Sequence, residues 1–323
     1  MTAALPRTVT GAAALAGPLV FVEAPGEARL GEWVEVAMPG HPLRRGQVID
    51  ANEGLTVVLL LDEPQGLAPR HAAVTLTGDQ PALAVGRELL GRTLSGRGLP
   101  LDGLPEPVGE ALVPLAGAPL NPTRRLRPRD VIETGLSAID GFNTLVRGQK
   151  LPVFAGAGLP ALELAARVVE QSRAPHGEPF AVVFVGLGVT ARERRLFLDR
   201  FEASGALERT VVVLNEARDP SVERLLAPRV GLAAAEHLAF THGLHVLVVM
   251  ADLTRYGETL REVATAREEI PGRRGFPGYL YTDLAGILER AGIVRDRPGS
   301  VTQLPVLTMP DDDITHPIPD LTG

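Results

Sequence analysis

The feature that most constrains the fold is a change of pattern at Val131, after which short apolar segments alternate with amphipathic ones. The apolar segments predict strands, at 151–155, 180–186, 210–215, 245–250 and 303–309. The amphipathic segments predict helices, at about 160–172, 191–204, 220–241, 255–269 and 280–291. Nearly continuous apolar strands are typical of a parallel sheet with helices on both faces, and such sheets bind ligands at the carboxyl ends of their strands.

The first 77 residues have a different pattern. Short β segments are separated by Gly, Pro, Asp and Asn, which predicts a small barrel or sandwich; they lie at 19–23, 33–37, 46–52, 56–61 and 73–76. Residues 78–130 are rich in Pro and Gly and predict connecting chain without a core of its own. We therefore predict an N-terminal β-barrel at 1–77 and an α/β domain at 78–323.

Composition excludes several classes of function. The 323 residues carry a net charge of −7 with acids and bases mixed along the chain, which argues against a nucleic-acid partner. Cysteine is absent, which excludes disulfides, thiolate metal sites and a Cys nucleophile. No apolar run approaches the roughly 18–20 residues that span a bilayer, and the N-terminus lacks a charged signal-peptide region, so we predict no direct membrane insertion.

The loop after the first strand of the α/β region is the candidate phosphate-binding loop. Gly156 and Gly158 keep the glycine spacing of a Walker loop between a strand and a helix. The next positions, which in a working loop are Lys and Ser or Thr, are Leu159 and Pro160. Lys150, the single lysine of the chain, lies on the near side of the strand. On pattern alone, an ordinary glycine-rich turn is the simpler interpretation and a degenerate nucleotide loop is the alternative.

Long segments of the sequence nevertheless resemble one family. VIETGLSAIDGFNTLVRGQKLPVFAGAGLPALELAARV and FAVVFVGLGVTARE are similar to the B subunit of V/A-type ATPases. The resemblance spans nearly the whole chain; it covers residues 17–23, 44–49, 89–105, 119–125, 131–168, 180–193, 267–292 and 299–323. It implies a small N-terminal β-barrel followed by a P-loop NTPase-like (RecA-like) α/β domain with a mostly parallel sheet.

Three positions separate catalytic from non-catalytic members, as the resemblance implies. The first is the Leu159-Pro160 pair. The second follows Gly188, where catalytic relatives carry a Glu that acts as general base and this chain has Val189. The third is Asp252, which fits a Walker B carboxylate near magnesium and equally fits the N-cap of the next helix. We therefore predict no catalytic residue and no intrinsic ATP hydrolysis; Gly156, Gly158 and Asp252 are the candidate nucleotide-binding residues.

Two further segments have competing interpretations. The resemblance implies that Pro271, Gly272, Arg273, Arg274 and Gly275 face the rotating stalk at the centre of a ring, whereas the pattern alone indicates a helix end stopped by Pro and Gly. The acidic run 311–313 near His316 suggests either a metal site or a loop of solvated carboxylates, and the second is expected. The seven histidines are scattered without ligand spacing, so no metal is predicted.

The sequence departs from the family at its C-terminal end. Family members continue beyond the Pro-Asp-Leu-Thr-Gly at 319–323 with another strand, an arginine that reaches the neighbouring catalytic site and a helical domain. These parts are absent from the sequence, so we expect either a fragment or a shortened relative.

The resemblance implies a non-catalytic subunit of a proton- or sodium-translocating rotary ATPase or ATP synthase. Its partners would be a catalytic A-type subunit, central stalk subunits and a peripheral stalk, at the cytoplasmic face of a membrane. No cofactor is required, and weak ATP or ADP binding at the subunit interface is the only cofactor interaction considered. Two alternatives stay open: a shortened orphan paralogue acting as a binding module, and a catalytic export-type ATPase, which Leu159 and Val189 disfavour.

Overall fold

The computed structural model describes residues 6–23, 28–52 and 54–323. The described residues divide into two compact units, the first formed by residues up to 82 together with 261–271 and the second by residues 83–260 with 272–323. The domain boundary drawn from the sequence at residue 77 stays a prediction.

The first unit contains a seven-stranded antiparallel sheet, curled into a half-barrel, with the spatial order β1-β7-β4-β5-β6-β3-β2. Its strands are β1 (Arg7–Thr10), β2 (Ala14–Ala16), β3 (Leu19–Val22), β4 (Trp33–Ala37), β5 (Arg44–Asn52), β6 (Leu55–Leu60) and β7 (Ala73–Leu76). Alternate residues such as Val34, Val36 and Val74 are buried in one apolar cluster. The predicted barrel class is confirmed, and β1 and β2 are strands that the sequence pattern did not predict.

The second unit is built from short strands and helices in alternation. The strands are β8 (Ala82–Val85), β9 (Thr93–Ser95), β10 (Ala111–Pro114), β11 (Arg125–Leu126), β12 (Val153–Ala155), β13 (Phe180–Val189), β14 (Thr210–Glu216), β15 (His245–Ala251), β16 (Ile293–Val294) and β17 (Ser300–Thr308). The helices are α1 (Ser137–Phe142), α2 (Ala161–Gln171), α3 (Ala191–Ala203), α4 (Ala227–Phe240), α5 (Leu253–Ala266), α6 (Leu280–Leu288) and α7 (Pro317–Thr322). The residues of α5 from Arg261 onward belong to the first unit. No helix within residues 6–23, 28–52 and 54–323 is long and apolar enough to cross a membrane.

A six-stranded parallel sheet forms the centre of the second unit, in the order β12-β17-β15-β13-β14-β9. Successive residues of β13 point to opposite faces: Val183 and Val185 pack toward α4, α5 and α6, whereas Val182 and Phe184 pack toward α2 and α3. Both faces are therefore buried, which explains the continuous apolar strands. The predicted α/β class with a mostly parallel sheet is confirmed.

Residues 78–130 form no core of their own, as predicted, but they are more than connecting chain. This segment supplies β9, which pairs in parallel with β14 at one edge of the main sheet. It also contributes five side chains to the core of the second unit: Leu83, Val85, Leu89, Leu94 and Leu115. The Pro- and Gly-rich composition obscured short strands whose stability comes from tertiary packing rather than from local propensity.

Candidate functional site

The candidate phosphate loop joins β12 to α2 at the carboxyl edge of the parallel sheet. Gly158 adopts a left-handed φ of +78°, and a Cβ added there would meet no atom within 4 Å. Leu159 is 63% exposed, and Pro160 occupies the N-cap of α2 without a side-chain cap. The loop thus keeps the strand–turn–helix layout of a Walker loop but presents neither an ammonium nor a hydroxyl group to a nucleotide.

An acidic side chain occupies this loop. Asp312 Oδ1 accepts a hydrogen bond from the backbone N–H of Ala157 at 2.6 Å. It approaches the loop so closely that a Cβ on Gly156 would lie 2.7 Å from the same oxygen. Backbone N–H groups of such loops are the groups that hold phosphate oxygens. The carboxylate therefore takes a position in which it competes with a phosphate and repels it.

Lys150 cannot replace the missing lysine of the loop. Its Nζ donates to the Glu289 carboxylate, which also accepts from Arg125 Nη2 at 2.6 Å. The hydrogen bond from Lys150 is the main cause that lowers the pKa of Glu289. Lys150 is therefore held in an ion-pair cluster with Glu289 and Arg125, rather than by the phosphate loop.

Asp252 lies directly after β15 and is 5% exposed. Its Oδ1 accepts from the backbone N–H of Thr254 at 2.9 Å and from that of Thr308 at 3.2 Å. The first bond caps α5, and the second fastens the end of β17, whose next residue, Met309, donates to Ala155 O. Asp252 and the Gly156 loop are thereby brought to the same edge of the sheet, on either side of β17.

The carboxyl end of β13, where its pairing with β14 is irregular, carries the position of the expected general base. Gly188 has a φ of +63°, and Val189 is fully buried. Two arginines surround this turn: a Cβ on Gly188 would lie 3.0 Å from Arg224 Cζ and 3.1 Å from Arg255 Cδ. Arg255 donates to Gly188 O, whereas Arg224 donates to Asn215 Oδ1 at 2.8 Å. The turn therefore holds guanidinium groups where a catalytic subunit needs a carboxylate.

An open groove beside the same turn adds further positive charge. It is lined by Ala191, Arg192, Arg194, Arg195, Leu198, Asp199, Glu216 and Arg218. Glu216 binds Arg194 at 2.8 Å and Arg218 at 3.0 Å. Helix α3 begins here with a capping box between Thr190 and Glu193. The sequence analysis did not identify this groove; the Arg-rich start of α3 was the available signal.

The predicted rotor-facing loop is anchored by its arginines. Arg273 donates to Asp320 Oδ2 at 2.5 Å and to Thr315 O at 2.7 Å, and Arg274 donates to Asp313 Oδ2 at 2.6 Å. Hydrogen bonds from Thr315 and then Arg274 lower the pKa of Asp313 to about 2. Gly275 has a φ of +79°, and Gly272 N–H donates to Phe276 O, so the turn is also closed by its own backbone. Pro271 belongs to the other unit.

Two carboxylates of the acidic run 311–313 form hydrogen bonds that a loop of solvated carboxylates would lack. Asp311 and Asp312 are exposed, as expected, but Asp312 also binds the β12 loop and Asp313 binds Arg274. The sequence analysis missed these contacts because the residues involved are far apart in the chain.

These observations define the class: a P-loop NTPase-type α/β fold whose loop after β12 carries neither the lysine nor the hydroxyl residue of a Walker loop. The chain belongs to the ATP synthase alpha/beta family, whose nucleotide-binding domain matches residues 135–323. It is similar to the V-type ATP synthase beta chain of Anaeromyxobacter sp. strain K, with 61% identity over 98% of this chain and 68% of the relative. The corresponding chain of Thermus thermophilus is 50% identical over 99% of this chain and 68% of its own length. The resemblance to V/A-type B subunits is thereby confirmed.

Proposed function

We propose that this chain is the non-catalytic B-type subunit of a V/A-type rotary ATPase or ATP synthase. In this arrangement three copies alternate with three catalytic A-type subunits around a central stalk, and a peripheral stalk holds the ring at the cytoplasmic face of a membrane. The observation that supports the proposal is the absence of catalytic groups at both positions. The Asp312 carboxylate is hydrogen-bonded to the β12 loop, and buried Val189 stands where a catalytic relative has its general base.

The chemistry of phosphoryl transfer supports a non-catalytic role. Transfer requires a cation on the terminal phosphates and a group that orients or deprotonates the attacking water. A valine accepts no proton, and a carboxylate on the phosphate loop adds negative charge where negative charge must be neutralised. The chain is suited to forming one wall of a nucleotide site that a neighbouring subunit completes. Gly156, Gly158 and Asp252 would then take part only in weak ATP or ADP binding.

The segment from Pro271 to Gly275 would contact the rotor. Arg273 and Arg274 both form hydrogen bonds with residues 313–320, which fixes the conformation of the turn. Ile270 is 93% exposed and offers an apolar group to a partner surface. Movement of protons or sodium ions would be carried by other subunits.

Co-purification tests the assembly. The chromosomal copy is tagged, and proteins recovered from a gentle membrane extract are identified by mass spectrometry. We expect a catalytic A-type subunit and stalk proteins in amounts comparable to this chain. Recovery of this chain alone, from an extract in which the other subunits are detected, would reject the ring and favour an orphan paralogue that acts as a binding module.

A hydrolysis assay tests the absence of catalysis. The purified, partner-free chain is expected to release phosphate from ATP at the rate of buffer alone. Activity that disappears in the Asp252→Ala variant would identify a catalytic subunit, as in the export-type ATPases, and would overturn the proposal.

A further inference from the structure

Three side chains from distant parts of the chain meet near the amino-terminal end of β15, at the end of the strand opposite to Asp252. Glu110 lies immediately before β10, His237 lies in the last turn of α4, and His242 follows that helix. One ligand atom from each lies within 4.8 Å of the others, the single such group of three among residues 6–23, 28–52 and 54–323. The sequence analysis treated the histidines as scattered, because a spacing of five residues across a helix end gives no recognised ligand pattern.

Both imidazole groups direct a buried nitrogen toward the same carboxylate. Glu110 Oε2 lies 3.0 Å from His242 Nε2 and 3.6 Å from His237 Nε2. Both Nε2 atoms are shielded from solvent, and neither makes a hydrogen bond of acceptable geometry. The His237 side chain is 10% exposed and the His242 side chain 16%. Buried polar atoms that lack a well-formed hydrogen bond are costly, and a cation between the two nitrogens and the carboxylate would satisfy all three groups.

The backbone holds the three groups in place. Gly243, with a φ of +75°, ends α4 by donating its N–H to Ala239 O, which fixes the position of His242. Gly109, with a φ of +69°, comes so close to Ala84 that an added Cβ would lie 2.8 Å from the Ala84 Cβ. Glu110 N–H then donates to Val85 O at 2.8 Å. The site is therefore supported by rigid backbone on both sides.

We propose that Glu110, His237 and His242 bind a Zn²⁺ ion. Two imidazole nitrogens and one carboxylate oxygen are a ligand set that zinc favours, with a fourth position left for water. Ligand atoms at zinc bond lengths in a tetrahedral site lie roughly 3.3–3.5 Å apart. The two histidine–carboxylate separations, 3.6 and 3.0 Å, bracket this range, and the two histidine ligand atoms lie within 4.8 Å of each other. Glu110, whose side chain is 49% exposed, provides the open side from which the ion and its water enter.

The zinc site is separate from the nucleotide-binding edge. It precedes β15, whereas Asp252 follows that strand, and the seven residues of β15 span roughly 23 Å at about 3.3 Å per residue. A bound ion would tie the segment before β10 to the end of α4 and stabilise the folded chain, independently of any ATPase partner.

Zinc titration of the full chain, prepared without a polyhistidine tag and freed of metal with a chelator, tests the proposal. We expect one Zn²⁺ per chain with a dissociation constant of about 1 µM, weaker than four-ligand structural sites. His242→Asn and Glu110→Gln should each weaken binding at least about tenfold. The control His71→Ala, which removes an exposed histidine elsewhere, should leave the affinity unchanged.

Cobalt substitution gives a second measurement that needs no variant. The wild-type chain with Co²⁺ should show the strong visible absorption of a four-coordinate ion, which added Zn²⁺ abolishes. Absence of saturable zinc binding, binding that survives both ligand substitutions, or a cobalt spectrum identical to that of the hydrated ion would each overturn the proposal.

Discussion

The loop after β12 (the first loop) and the turn that ends β13 (the second loop) lie at the same edge of the sheet, and each holds a charge opposite to the one that ATP hydrolysis requires. The first loop needs a cation, yet it holds the Asp312 carboxylate on its backbone. The second needs a carboxylate, yet Arg224 and Arg255 surround its glycine. Under the proposed non-catalytic role, the difference from a catalytic site extends beyond two side chains, because the charges around both positions differ as well. A single substitution at either loop should therefore fail to restore catalysis.

The largest expected effect comes from placing a carboxylate on the second loop. Val189→Glu buries a charge in a fully apolar position and should lower the free energy of unfolding by about 3–5 kcal/mol. The matched control, Leu159→Glu, places the same group on the exposed first loop and should change stability by about 0.5 kcal/mol or less. Urea unfolding measures both. Equal stabilities would show that the two loops do not differ in burial as described.

Removing the acid between the loops has the next largest effect. Asp252→Ala leaves the N–H groups of Thr254 and Thr308 without their acceptor and should cost about 2–3 kcal/mol in urea unfolding without nucleotide. Asp252→Asn retains an acceptor oxygen and should lose less than half as much. A stability increase in the alanine variant would instead indicate a carboxylate maintained for a cation, in line with the magnesium role.

Opening the first loop should strengthen anion binding. Asp312→Ala frees the N–H of Ala157 and removes a negative charge, so affinity for inorganic pyrophosphate in calorimetric titration should rise by about tenfold, or ~1.4 kcal/mol. The neighbouring Asp311→Ala is the control and should have a smaller effect. If both variants bind like the wild type, the carboxylate does not compete with phosphate.

The smallest effect concerns the third carboxylate of the acidic run. The pKa of Asp313 is about 2, lowered first by Thr315 and then by Arg274, so its folded-state interactions are present above a pH of about 4 and are lost as the pH falls through about 2. Arg274→Ala should raise this pKa toward its usual value, measured by NMR titration of the carboxyl carbon. Arg273→Ala removes the partner of Asp320 and one hydrogen bond to Thr315 O, but no direct partner of Asp313, so it should move the pKa of Asp313 less than Arg274→Ala does.

The sequence predicted the elements whose pattern is local. The five main α/β strands were predicted with boundaries within a few residues, because their burial on both faces leaves continuous apolar runs. The helices were predicted equally well except for the start of α4, which was expected at 220 and lies at Ala227, after a 3₁₀ turn at Ser221–Leu225. The segment containing β9 was misinterpreted, since a three-residue strand among prolines and glycines depends on β14 for its stability.

The residues of the candidate site also fall into those that a local motif predicts and those that only the fold brings together. Leu159, Pro160 and Val189 could be evaluated from the sequence because each is defined by its place in a motif. The contact of Asp312 with Ala157 joins residues that are 155 positions apart, and no local pattern reports it. The meeting of Glu110 with His237 and His242 was equally invisible, because the fold and not the spacing brings them together.

The parallel pairing of β9 with β14 and of β12 with β17 also has a consequence for biosynthesis. Thr93 pairs with Val212, and Val153 pairs with Val306, so each edge strand leaves the ribosome about 120–150 residues before its partner. At about 5–20 residues per second, each waits on the order of 10 seconds with its hydrogen-bonding groups unpaired. The nascent chain must therefore expose two unprotected strands during translation, and its yield should depend on elongation speed and on chaperones that shield extended segments.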